Sequence, residues 1–428
     1  MQQRYSFNSA RANIDRLISE LRQFHGQAHI PKTSGHDLLF ISDDLIAYTL
    51  SILREEEPIV PKLPICDWLK LLNKLQYHGI TPLFYLKICN IPDRFHPPEV
   101  VVSRMRGTFL LSRAYSIRTE KQLDEILNAI NRKSVNTLVI KGPSLAWSVY
   151  PDPATRPSAD IDLLVKPDKY KSACAVLSNL GYSSPYNRFD VFQPIFNSES
   201  FDLHENNKRY AKVDLHWSLF QFHGQERDNN VEELFRRAIT IETPFLSFNT
   251  LNPIDALVMG AFHMILHHPG TLRLTWVSDI ALLASKLTTT SDWDDLIERT
   301  SRFKLRLAME KALKSAQMWF GLRIPEGYDD FTHWPMPEKT EKTELSYLTN
   351  KNAADIRLGG YLYTFRKSPN KIRYIFNFLF PPPHYVYATY PPTRKWLLPF
   401  SYVRRWAHWI AKLFQYGLHA WQTEHTPK

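Results

Sequence analysis

Residues 138–165 read Leu-Val-Ile-Lys-Gly-Pro-Ser-Leu-Ala-Trp-Ser-Val-Tyr-Pro-Asp-Pro-Ala-Thr-Arg-Pro-Ser-Ala-Asp-Ile-Asp-Leu-Leu-Val. The order of residue types predicts a short buried strand over Thr137–Ile140, a Lys-Gly-Pro-Ser turn and one short helix. A Pro-punctuated loop follows, and then a second strand opened by two acids. On an extended strand side chains alternate faces, so Asp160 and Asp162 point one way while Ile161 and Leu163 point into the core. Two carboxylates on one face, roughly 6–7 Å apart, make a poor core but a good cradle for hard divalent cations. Mg²⁺ takes oxygen ligands and usually shares them with substrate phosphates.

A third carboxylate lies downstream, in Val213-Asp214-Leu215-His216-Trp217. Alternation puts Asp214 and His216 on one face and Val213, Leu215 and Trp217 on the other. A buried strand has little reason to carry an acid unless something pairs with it. Three carboxylates are about what a pair of cations needs to clamp the attacking and leaving oxygens of an in-line phosphoryl displacement. Lys141, Gly142 and Ser144 can supply the anion side: Gly lets backbone approach a phosphate, and Lys and Ser add donors. Arg156 sits on the loop before the acids, within reach of a triphosphate; its bland alternative is a surface pair with Asp152 or Asp168. For His216 a hydrogen-bonded structural role competes with a catalytic one.

Around this segment the pattern is mostly helical. Weak amphipathicity predicts a helix from about Ala10 to Phe24, and apolar spacing predicts others over His36–Leu53 and Asp67–Tyr77. Residues 1–118 read as a helical module. Glu120–Lys133 reads as one more helix, leading into the core at 119–250. Pro167 opens a helix that stops at Gly181. Phe189–Ile195, Phe201–His204 and Tyr210–Trp217 are β-prone, and the turn-like tetrad Glu205–Lys208 makes the last two a hairpin. The order α-β-α-β-α-β-β with short strands predicts an α+β fold, a small mixed sheet with packed helices. A helical domain at 251–345 holds helices from Pro253 and over Leu272–Leu287, Trp293–Thr300 and Leu305–Phe320. His263 and His267 are four apart on the first and could bind Zn²⁺. With no acid or Cys to complete a site, a polar cluster with Asp279 is the expectation. Residues 346–428 form a basic, aromatic helical tail.

Of the 428 residues, Lys and Arg exceed Asp and Glu by 10. The excess sits in the tail, where ten basic residues from Tyr361 onward face one acid, Glu424. Such asymmetry points to an anionic partner: nucleic acid, a membrane surface or a phosphorylated substrate. The stripe Val403, Trp406, Ile410, Leu413 with Arg404, Arg405, His408 and Lys412 largely elsewhere suits either packing on the protein itself or peripheral contact with an anionic membrane. Three widely spaced cysteines give neither a metal-ligand pattern nor a disulfide framework. No apolar run approaches the length of a bilayer span, and no signal-peptide pattern opens the chain, so a cytoplasmic location is expected.

The strand, then Lys-Gly, then Tyr-Pro-Asp-Pro-x-x-Arg-Pro-x-x-Asp-x-Asp-Leu-Leu-Val, then Val-Asp-Leu-His-Trp resembles a family of uncharacterised nucleotidyltransferases of the DNA polymerase β-like superfamily. His78-Gly79-Ile80-Thr81-Pro82-Leu83 and His267-His268 followed by Leu274, Trp276 and Asp279 fit the same pattern. The resemblance implies a polymerase β-like core flanked by helical modules. It implies Asp160, Asp162 and Asp214 as metal-binding and catalytic acids, with Mg²⁺, or Mn²⁺, as cofactor. Lys141, Gly142, Ser144, Arg156 and Ser158 form the expected nucleotide-binding set, with His216 a secondary candidate. Pro143 departs from the superfamily, which usually has Gly followed directly by Gly or Ser, and it removes one N–H donor. The expected donor is an NTP, ATP by default. The acceptor stays open among a sugar phosphate, a peptide and another small molecule, and no DNA is expected. Two rivals are a catalytically silent nucleotide-binding or scaffold protein, and an RNA-binding protein using the tail.

Overall fold

The apolar run Thr137–Ile140 forms β1 with all four residues buried in the computed structural model of the protein. The structure describes residues 41–186, 196–206, 208–220, 231–268, 271–338, 371–392 and 394–425, with isolated positions at 16, 19, 20, 189, 341, 342 and 345. Most of the expected helix over Ala10–Phe24 and most of the β-prone stretch Phe189–Ile195 lie outside the described residues.

The second strand, β2 (Ile161–Val165), is buried throughout. A hairpin follows, β3 (Ser198–Glu205) with β4 (Lys208–His216), turning where the tetrad Glu205–Lys208 predicts. It is antiparallel and sets Ser200 opposite Asp214. Two short strands had no counterpart in the reading of the sequence, β5 (Ile239–Glu242) and β6 (Ser247–Thr250). They pair antiparallel. β6 lies parallel to β1 with Val139 opposite Thr250, and the Thr250 hydroxyl donates to the Val139 carbonyl at 2.7 Å. The six strands form one mixed sheet in the order β3-β4-β2-β1-β6-β5. The fold is α+β, as expected.

Helices dominate the remainder. Among them are α1 (Asp43–Arg54), α2 (Ile65–Tyr77), α3 (Thr81–Cys89) and α4 (Glu99–Asn131). In α2 the buried residues Trp68, Leu71, Leu72 and Leu75 follow helical spacing. The helix expected over Glu120–Lys133 is the second half of the 33-residue α4. Next come α5 (Gly142–Ser148), α6 (Tyr170–Asn179) and α7 (Val231–Arg236). α8 (Pro253–Phe262) starts at Asn252, whose side chain accepts from the N–H groups of Ile254 and Asp255. α9 (Leu274–Ala284), α10 (Thr290–Arg302) and α11 (Arg306–Phe320) match the expected helices to within a few residues. A capping box of Thr289 and Asp292 fixes the start of α10. The tail holds α12 (Lys371–Leu379), α13 (Pro383–Thr389) and α14 (Leu398–His425). No described helix is long and apolar enough to cross a membrane.

The chain divides into two compact units. The first comprises residues 1–127, 138–161 and 234–345, and the second comprises residues 128–137, 162–233 and 346–428. The core of the first includes Trp68, Phe84, Leu257, Leu296, Leu313 and Trp319. That of the second includes Leu163, Leu164, Tyr170, Val213, Leu215 and Trp217.

Candidate active site

In the first unit, β1 ends in a turn with unusual backbone. Lys141 has φ 57° and ψ −152°, a region that residues other than Gly rarely adopt, at a cost on the order of 1–3 kcal/mol. Such strain clusters where a functional geometry demands it. Gly142 follows at φ +29°. A Cβ there would meet the Ser158 hydroxyl at 2.6 Å and the Asp160 carbonyl at 3.3 Å. The glycine turn is therefore seated directly on the loop that carries Ser158 and Asp160. The Ser158 hydroxyl donates to the Asp160 carbonyl at 2.9 Å. Ser144, buried in the first turn of α5, points its hydroxyl back onto the Lys141 carbonyl at 2.8 Å. Pro143 occupies the start of that helix, where a missing N–H leaves no helical bond unmade.

The loop before the acids is tied down at several points in the same unit. Asp152 caps a short turn by accepting from the Ala154 N–H at 2.8 Å, and the Ser112 hydroxyl of α4 donates to the Ala154 carbonyl at 2.7 Å. Arg156 pairs with an acid far from this loop in sequence. Its guanidinium donates bidentately to Asp279 of α9, Nε to Oδ1 at 3.1 Å and Nη2 to Oδ2 at 2.8 Å. Tyr150 adds its hydroxyl to the same carboxylate at 2.8 Å. Burial, followed by the neighbouring Asp279 charge, pushes the Tyr150 phenol well above its usual range. Asp279 is thus spent on Arg156 and Tyr150 rather than on the histidines that follow α8. Beside this loop, a shallow hollow is lined by Ser116, Glu120, Pro143, Trp147, Arg156 and Ser158 among others. Glu120 accepts from the Trp147 indole N–H at 3.0 Å and from Ser116 at 3.3 Å. Burial raises its carboxyl above the usual range, and the two hydrogen bonds pull the other way.

The second unit carries the other acids. Asp162 is buried in β2, and its Oδ1 lies 3.0 Å from His216 Nε2 of β4. The other ring nitrogen of His216, Nδ1, is 3.3 Å from the Asn197 amide nitrogen. That amide nitrogen can only donate, so Nδ1 accepts and Nε2 carries the proton given to Asp162. His216 is thereby an orienting partner of Asp162. Asp214 accepts from the Ser200 hydroxyl at 2.5 Å and from Lys212 Nζ at 2.6 Å. Neither partner was singled out from the sequence, although both signals were present. Lys212 stands two residues before Asp214 on the same strand face, and Ser200 is its cross-strand neighbour.

A further group lies at the end of α8, where His263–His267 form a π-helical turn. His263, His267 and His268 gather there, His268 being the member that helical spacing alone did not supply. Burial, reinforced by Lys141 and Arg273, holds the His268 imidazole down at about 4.

A family described as uncharacterised nucleotidyltransferases matches residues 65–321, which is more than half of the chain. The chain belongs to that family. No curated protein matches it. For this nucleotidyltransferase, the match covers β1, the glycine turn, both acids of β2 and its approach, and the strand of Asp214.

Proposed function

We propose that this nucleotidyltransferase moves a nucleoside monophosphate from an NTP, ATP by default, to a hydroxyl or phosphate acceptor. Pyrophosphate leaves. The reading is supported most by the seating of Gly142, whose missing Cβ lets the turn lie against Ser158 and the Asp160 carbonyl. That arrangement keeps an anion-binding bend beside the first acid and leaves no bulk in between. The donor set also suits a hard divalent cation: Asp160, Asp162 and Asp214 offer oxygen ligands only. Mg²⁺ or Mn²⁺, held by those three carboxylates, would neutralise charge on the phosphates and on the departing pyrophosphate.

The residues of the chain do the rest. Lys141 and the Gly142 backbone bind the β- and γ-phosphates. Ser144 holds the turn in shape through the Lys141 carbonyl, and Ser158 links that turn to Asp160. Arg156, committed to Asp279, acts by fixing the loop on which Ser158 sits. His216 orients Asp162 through its Nε2–H. The acceptor oxygen attacks the α-phosphorus, its new P–O bond forming as the bond to the β-phosphate bridging oxygen breaks. Asp214 accepts the proton of a hydroxyl acceptor, with Lys212 poised to compensate the charge. Sugar phosphates, peptides and other small molecules are the acceptor classes to be screened. The basic tail suits both packing on the protein, where Trp406 Nε1 donates to the Leu379 carbonyl at 2.7 Å, and peripheral contact with an anionic membrane surface.

The test is incubation with each NTP, Mg²⁺ and a metabolite extract, followed by mass spectrometry and pyrophosphate detection. A metabolite heavier by one nucleoside monophosphate is the expected product, absent with Asp160→Asn. Mg·ATP binding without any product would favour the silent nucleotide-binding protein instead.

A further inference from the structure

We propose a second metal site, for one borderline transition ion of the Zn²⁺ class, on His263, His267 and His268. Its ligands are three imidazoles, none of them one of the three carboxylates proposed to hold Mg²⁺. Its basis is the helix geometry. In an ordinary α-helix, residues four apart share a face, whereas residues five apart diverge. Here the His268 N–H donates to the His263 carbonyl at 3.2 Å, an i to i+5 bond, and the turn widens into a π-helix. Such bulges occur frequently at functional sites. The wider turn brings i, i+4 and i+5 onto one face. One ligand nitrogen from each of the three imidazoles lies within 4.8 Å of the others.

The surroundings decide which ion fits. Among the described residues no carboxylate or thiolate joins the three imidazoles in this cluster, so a hard ion such as Mg²⁺ finds none of its preferred donors there. Neutral nitrogen donors suit Zn²⁺, Cu²⁺ or Ni²⁺. Three histidines with an open fourth position is a known zinc arrangement. Zn–N bonds of about 2.0–2.1 Å need the nitrogens about 3.3 Å apart in a tetrahedron, so the site closes around its ion by small ring rotations. His267 is the exposed member of the three. Trp276 walls the other side, stacked on His268 with ring centroids 4.9 Å apart and edge-on to His263 at 4.9 Å.

The experiment uses untagged, chelator-treated full-length protein, titrated with Zn²⁺ alone and, separately, with Co²⁺ while the visible spectrum is recorded. About one Zn²⁺ per chain by elemental analysis, and Co²⁺ absorption bands of low coordination number, are expected. His267→Ala, at an exposed position, should weaken binding roughly 100-fold or more, since even outer partners of metal ligands cost about 10–100-fold. His268→Gln should do the same, while Asp162→Asn should leave Zn²⁺ stoichiometry unchanged. Zn²⁺ that binds equally well to His267→Ala and His268→Gln, or binding lost with Asp162→Asn instead, would overturn the site. So would the absence of any bound ion in wild-type protein.

Discussion

Replacing Gly142 by Ala is the perturbation whose cost can be worked most closely from the structure. The new Cβ would lie 2.6 Å from the Ser158 hydroxyl oxygen and 3.3 Å from the Asp160 carbonyl. To escape, Ser158 must rotate and give up its 2.9 Å hydrogen bond to Asp160, worth about 1 kcal/mol. The positive φ of +29° adds roughly 1–2 kcal/mol for an L side chain. Together, about 2–3 kcal/mol should be lost, read as a lower midpoint in urea unfolding at unchanged slope. The clash and the backbone cost separate in a double-mutant cycle. In a Ser158→Ala background the clashing oxygen is gone, so Gly142→Ala should cost only the backbone part, a coupling of about 1 kcal/mol. Binding of Mg·ATP, followed by titration calorimetry, should fall for Gly142→Ala in both backgrounds, because the methyl still fills the turn. Strict additivity of the two substitutions, or full nucleotide affinity in Gly142→Ala, would refute the reasoning.

Asp279→Ala removes the bidentate partner of the Arg156 guanidinium, whose side chain is 9 % exposed, and should destabilise the fold by about 3–5 kcal/mol in denaturant unfolding. Glu120→Gln tests pH linkage. Its folded carboxyl titrates above the usual value, so the folded state holds more protons than the unfolded chain, and stability falls as pH rises through that range. The variant should remove this slope while keeping the Trp147 bond, as read by thermal unfolding across pH 4 to about 8. In the tail, Ile372, Phe376, Trp396 and Phe400 are exposed. Cosedimentation with vesicles containing phosphatidylglycerol, lost in 0.5 M salt and absent with phosphatidylcholine alone, is expected on about the scale set by charge screening.

What could be read from the sequence followed from periodicity and order. The apolar residues after Asp160 identified a buried strand, although it begins at Ile161 with Asp160 just before it and is buried on both faces, and the tetrad Glu205–Lys208 identified the β3–β4 turn. Elements without strong periodicity escaped. Ile239–Glu242 and Ser247–Thr250 are short and mostly exposed, so no apolar pattern marks them, and only pairing defines them. Long-range partners escaped for a different reason. Arg156 and Asp279 are 123 residues apart, and nothing in either neighbourhood announces the other, whereas Asp152 looked adequate by proximity alone. His268, named only as part of the His267-His268 pair, was not grouped with His263 because i+5 falls off an α-helical face. The π-turn that returns it to His263 is a backbone choice that side-chain spacing does not encode.

The central claim is that the α-phosphate of an NTP is transferred beside the glycine turn, with Asp160, Asp162 and Asp214 as the acids. It is tested most directly by offering α-labelled and γ-labelled ATP in parallel to wild-type protein and to Asp162→Asn, with the metabolite extract and Mg²⁺. The account predicts label on a new product from α-labelled ATP only, γ-label in pyrophosphate, and neither with a folded Asp162→Asn variant. Transfer of the γ-label to product, or undiminished α-label transfer by Asp162→Asn, would contradict it.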